Sequence, residues 1–150
     1  MINVKGYLQL LNEYDYALTK IDVPYMPVDF PHMYPIGKDM DMYVSAKDYE
    51  IVKSITHVFI RENKYDSLFE LKIVQGTDNI RFRFENHGKL HYQIDITIDR
   101  CGLVENKITT DNYHMLSLEN EMIIRKQEIL KNPHKKHHVE WLNRIKKQDK

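Results

Sequence analysis

The sequence predicts an α+β fold in which helices cover one side of a sheet, and three observations predict it. Residues 79–85 and 90–99 alternate apolar and polar side chains with a period of two. Residues 46–62, 118–131 and 133–147 instead carry apolar side chains at helical spacing. The strands come in a run bracketed by helices, rather than in strict strand–helix alternation, which is the α+β pattern.

In chain order, Val4, Tyr7, Leu8 and Leu11 share one helical face, which predicts a first helix from Val4 to Tyr14. Tyr16 to Ile21 reads as a short strand. A long connection follows, residues 21–38, holding four of the five prolines (Pro24, Pro27, Pro31 and Pro35), and a connection of that length inside a domain is often functional. Asp39 to Val44 is the next strand. Its alternation puts Met40, Met42 and Val44 on one face and Asp39, Asp41 and Tyr43 on the other. Ser45 and Asp48 have the spacing of a capping box that opens a helix from Ala46 to Glu62, with Val52, Ile55 and Phe59 turned inward.

Leu68–Val74, Asn79–Glu85 and Leu90–Asp99 are the remaining predicted strands, the last two joined by an Asn86-His-Gly88 hairpin turn. Ile80, Phe82 and Phe84 oppose Arg81, Arg83 and Glu85. Likewise Tyr92, Ile94 and Ile96 oppose Gln93, Asp95 and Thr97. A sheet so patterned has one apolar face for helices and one polar face left open. A helix from Leu118 to Lys131 carries Met122, Ile123, Ile129 and Leu130 at helical spacing. Asn132 as cap and Pro133 at the first helical position restart the chain as a last helix to Lys147, burying His138, Trp141, Leu142 and Ile145.

The 150 residues suffice for one domain with a real core, and 42% hydrophobic with 29% charged residues is a soluble globular composition. No apolar run approaches the ~20 residues of a membrane span. The N-terminal MINVKGYLQLLNEYD lacks the pattern of a signal peptide, and the single cysteine, Cys101, excludes an internal disulfide, so the cytoplasm is the expected compartment. Formal charge is zero overall, yet residues 131–150 hold seven Lys/Arg against two acids. A solvated helix end explains that excess more simply than an anionic partner does.

The chemistry concentrates in the aspartates. Two residues apart on a strand, Asp39 and Asp41 project the same way, about 6.6 Å apart along the backbone. Such a pair can hold a divalent cation between its carboxylates, and oxygen-only ligands suit magnesium or manganese. An isolated Asp-x-Asp is more often ordinary surface. Asp95, however, stands in the middle of another apolar-alternating strand, and strand interiors disfavour Asp. If the two strands are neighbours, three carboxylates converge on the open face, a set suited to metal-assisted phosphoryl or nucleotidyl transfer.

The string Pro35-Ile-Gly-Lys-Asp-Met-Asp-Met-Tyr-Val44, followed by a helix and later by Tyr92-Gln-Ile-Asp-Ile96, resembles the DNA-polymerase-beta-like nucleotidyltransferase superfamily. The resemblance implies a small mixed sheet, with residues 1–115 as the nucleotidyltransferase-like core and residues 116–150 as a helical pair packed on the same domain. It implies that Asp39 and Asp41 bridge Mg2+ (or Mn2+) to a nucleoside triphosphate. Asp95 would ligate a second ion and help activate the attacking hydroxyl of an acceptor left open, nucleic acid included. The family carries a Gly-Gly or Gly-Ser pair at the preceding strand end, where this chain has Leu18-Thr-Lys-Ile-Asp22. Gly37 and Lys38 are therefore the expected phosphate contacts. The missing pair also motivates a second reading, a non-catalytic binding or antitoxin-like module of the same fold. A metal-dependent glycosyltransferase ranks third, because there Asp-x-Asp follows a strand rather than lying within it.

Arg81 and Arg83 share the polar face with Asp95, either to clamp phosphate or to pair across strands. Lys126 and Lys131 read as solvated helix lysines. His134 and His138 lack the further ligands of a zinc site. Tyr25, Phe30 and Tyr34 read as fastening the proline-rich connection to the body, and Cys101 as a structural thiol. No Walker loop, Gly-x-Gly-x-x-Gly, Gly-x-Ser-x-Gly, Cys-x-x-Cys or His-Glu-x-x-His motif occurs.

Overall fold

Seven strands form one mixed sheet, and the computed structural model describes residues 3–21, 38–62 and 69–148, with Lys38 and Phe69 described by their backbone alone. Helix α1 is Val4–Leu10, β1 Tyr16–Thr19, β2 Lys38–Ser45, α2 Tyr49–Glu62, β3 Phe69–Gln75, β4 Asn79–Asn86 and β5 Lys89–Asp99. Two short strands follow, β6 Ile108–Thr109 and β7 His114–Met115, and then α3 Leu118–Lys131 and α4 Lys136–Gln148. The sheet order is β3-β4-β5-β2-β1-β7-β6, parallel at β2–β5 and β1–β7 and antiparallel elsewhere. Among the described residues no helix is long and apolar enough to cross a membrane. The proline-rich connection, with Tyr25, Phe30, Tyr34 and Gly37, lies outside the described residues.

The alternating strands bury the expected faces. Met40, Met42, Val44, Ile80, Phe82, Phe84, Tyr92, Ile94 and Ile96 form one core with Tyr7, Leu8 and Leu11 of the N-terminal segment and Val52, Phe59 and Ile60 of α2. Burial of one such side chain contributes roughly 1.5–3 kcal/mol. On the other face α3 lies against the β1 end of the sheet, where Ile124 packs with Ala17, Val104 and Leu116. All four residues of β1 are consequently buried. The Asn86–Lys89 hairpin closes through His87 and Gly88, with φ of 52° and 76°, the paired positive values that match strand twist.

Local departures from the sequence pattern have identifiable causes. Helix α1 stops at Leu10, because Leu11 and Asn12 switch to short bonds, to Leu8 O and Gln9 O, that tighten the last turn. Ser45 does not cap a helix. It stays in β2 opposite Asp99, while the Asp48 carboxylate accepts from Asp15 N (2.8 Å) and α2 starts only at Tyr49. Asn132 caps the C-terminus of α3 instead of opening the next helix, and α4 starts at Lys136 after a turn. Helix α3 also turns an unexpected face inward. Glu121, Ile124 and Arg125 are buried, whereas Ile123 is 44% and Leu130 84% exposed. The polar partners of Glu121 and Arg125 at the end of β1 decide that orientation. The strands β6 and β7, two residues each, are too short to show any period.

Candidate metal centre

Strands β2 and β5 run parallel with Asp41 directly opposite Asp95 and Asp39 opposite Gln93. Side chains at paired positions share a face, so the aspartates of two distant segments meet. Asp39, Asp41 and Asp95 each offer a carboxylate oxygen, and these oxygens lie within 4.8 Å of one another. Exposure falls across the trio: Asp39 is exposed, Asp41 half-buried and Asp95 buried. Three hard oxygen donors are the ligand type that Mg2+ and Mn2+ take. Burial pushes the Asp41 carboxyl up to about 7, Lys20 opposes the rise, and Asp39 and Asp95 reinforce it. A divalent cation relieves that repulsion, so the donor set suits such an ion chemically.

Two side chains hold Asp95. Its Oδ1 accepts from Arg81 Nε (2.9 Å) and its Oδ2 from Gln93 Nε2 (2.8 Å). Each carboxylate oxygen has a further acceptor direction, so these bonds orient Asp95 and leave it able to ligate. The pairing carries a single row across four strands: Arg81 on β4, Asp95 on β5, Asp41 on β2 and Thr19 on β1. Arg83 lies one row further, opposite Gln93, with its Nε on Glu85 Oε2 at 3.0 Å. Of the two expected arginines, only Arg81 thus pairs with an acid of the trio. Lys38 is placed by its backbone at the start of β2, opposite Tyr92.

Several residues around the centre escaped the sequence reading. Lys20, just past β1, has φ 57° and brings Nζ to 3.5 Å from Asp41 Oδ2 and 3.2 Å from Glu128 Oε1. Burial pulls the Lys20 ammonium down, but Asp41 and Glu128 outweigh it and leave the group above its ordinary range. Glu121 binds the same strand end twice, accepting from Thr19 Oγ1 (2.8 Å) and Lys20 N (2.7 Å). Arg125, fully buried, donates from Nε to Glu121 Oε1 (2.8 Å) and from Nη2 to Ile21 O (3.1 Å). Its guanidinium also lies 4.8 Å from the Trp141 ring and places Nη1 3.0 Å from His138 Nδ1. Burial lowers His138 to about 4, with His137 and Arg125 adding to the effect. His138 is therefore neutral at ordinary pH, with Nδ1 the acceptor. The Glu121/Arg125 spacing is legible in the sequence as an i,i+4 pair. Nothing in the sequence shows that it faces a strand end.

The other candidates sit apart from this arrangement. Lys126 and Lys131 are exposed on α3, His134 is exposed between the helices, and the Cys101 thiol is free and exposed.

No family model matches the chain, and no curated protein matches it. In backbone arrangement the chain is similar to a candidate nucleotidyltransferase from Helicobacter pylori, at 8% identity and TM-score 0.49, over 81% of this chain and 53% of that one. A second Helicobacter pylori structure is 10% identical with TM-score 0.47, over 81% and 52%. A Megavirus polyadenylate synthase is 14% identical with TM-score 0.46, over 91% and 30%. The chain thus spans about half the length of the two bacterial proteins and less of the viral one.

Proposed function

We propose that this protein is a nucleotidyltransferase that uses Mg2+ or Mn2+ to move a nucleoside monophosphate from a nucleoside triphosphate to a hydroxyl or phosphate acceptor, breaking the α–β phosphoanhydride bond and releasing pyrophosphate. The observation that carries the reading is the meeting of Asp39, Asp41 and Asp95 oxygens within 4.8 Å, from two adjacent parallel strands. A bound divalent ion would neutralise phosphate charge and polarise the bond under attack. In this reading Asp39 and Asp41 hold the ion together with the triphosphate. Asp95, oriented by Arg81 and Gln93, would ligate a second ion on the acceptor side and help activate the attacking hydroxyl. Gly37, Lys38, Arg81 and Arg83 contribute phosphate contacts, with residues 1–115 forming the core and 116–150 bracing it. The cytoplasm belongs to the same reading.

The test is calorimetric titration of a nucleoside triphosphate with magnesium. Binding is expected in the wild type and lost in the Asp39→Asn/Asp41→Asn double variant. Tight binding that survives the double substitution rejects the proposal. A second reading, a non-catalytic binding module of this fold, is favoured by one feature: β1 ends at Thr19-Lys20 with no glycine pair. Turnover of any triphosphate excludes it.

A further inference from the structure

We propose that Lys20 is a further phosphate-recognising residue of this site: its ammonium balances Asp41 while no cation is bound and transfers to the triphosphate when a cation displaces it. The inference rests on the metal-dependent reading above and adds a residue and a competition to it.

The backbone makes the placement possible. Thr19 is the register partner of Asp41 and faces the acids, so simple alternation aims the next residue at the opposite face. Lys20 instead has φ 57°, a left-handed conformation that L residues adopt at a cost. The strand ends there, and the side chain reaches the acid face, where Nζ lies 3.5 Å from Asp41 Oδ2. Two bonds from α3 hold the turn: Glu121 takes the Lys20 N–H at 2.7 Å, and Glu128 takes the ammonium at 3.2 Å.

These bonds also divide the work. A glycine pair at a strand end would offer backbone amides to phosphate, but the Lys20 amide is committed to Glu121. The side chain is what remains to meet an anion, and an ammonium serves phosphate as a point charge. A divalent cation on Asp41 and an ammonium a few ångströms away repel each other. Lysine must then leave Asp41, and a triphosphate arriving with the cation supplies a new partner, while Glu128 keeps the side chain near.

The experiment measures two affinities in the full chain: Mn2+ alone, by electron paramagnetic resonance, and a non-hydrolysable nucleoside triphosphate at saturating Mn2+, by calorimetry. In Lys20→Met the competing charge is gone, so Mn2+ alone binds about threefold more tightly or better. The triphosphate binds about tenfold more weakly or worse, and Lys20→Arg restores most of its affinity. Lys20→Gln carries the same expectations should the methionine variant fold poorly. Unchanged or weaker Mn2+ binding, or unchanged triphosphate binding, overturns the role of Lys20. Mn2+ binding that persists in Asp41→Asn, or is absent from the wild type, overturns the metal site itself and is thereby distinguishable.

Discussion

Asp41 and Asp95 stand side by side on parallel strands, and the same row runs on to Arg81 at one end and Thr19 at the other. Two carboxylates are thus flanked by cations on both sides, Arg81 on Asp95 and Lys20 on Asp41. The arrangement concentrates negative charge at the centre and supplies positive charge around it.

Metal binding is expected to stabilise the fold. A ligand at a hundred times its Kd adds about 2.7 kcal/mol, which for a chain of this size raises Tm by several degrees. Thermal scans with Mn2+ or Mg2+ should show the rise in the wild type and its reversal by chelator. The triple variant Asp39→Asn/Asp41→Asn/Asp95→Asn should show none.

Arg125→Met is expected to cost roughly 3–5 kcal/mol, because it strands the buried Glu121 carboxylate without its cation. Denaturant titration measures the loss. Adding Glu121→Gln should recover part of it, since the stranded charge is then gone. A cost below about 1 kcal/mol would show that this network does not hold α3 to the sheet.

His138 predicts an acid-side loss of stability. Burial holds its imidazole down to about 4, against the ordinary histidine value of 6.5. Between those values the unfolded chain binds a proton that the folded chain refuses, so its contribution is intact above 6.5 and declines as pH falls towards 4. Unfolding midpoints measured from pH 7.5 down to pH 4.5 should fall more steeply for the wild type than for His138→Gln.

Gly88→Ala tests the hairpin. Gly88 has φ 76°, and a Cβ there meets nothing within 4 Å, so the cost is conformational, about 1 kcal/mol. His87→Asn, a better left-handed residue at the other turn position, should gain a few tenths of a kcal/mol. Paired denaturation curves at neutral pH read both effects.

Where the period was long and regular, reading and structure coincide. The strands expected at 79–85 and 90–99 are found at 79–86 and 89–99, and the turn between them and the inward residues Val52 and Phe59 of α2 also follow from patterning. Helix α3 shows the opposite case. Its exposed apolar residues, Ile123 and Leu130, suggested one inward face, whereas Glu121 and Arg125 are buried on another. An apolar stripe identifies the buried face only when polar residues have no partner waiting, and here Thr19, Lys20, Ile21 and His138 were waiting.

By itself the sequence determined on which face each aspartate stands. Side-chain direction repeats every second residue, so Met40 and Met42 inward means Asp39 and Asp41 outward, and Ile94 and Ile96 inward means Asp95 outward. Only the tertiary structure decided that β2 and β5 are parallel neighbours in a register that puts Asp41 beside Asp95, and that Lys20 turns back to Asp41 under the hold of α3. Direction is a local property of the backbone. Register and the company a residue keeps arise from pairing between distant segments, where the burial of a whole apolar face selects one alignment and carries the polar side chains along with it.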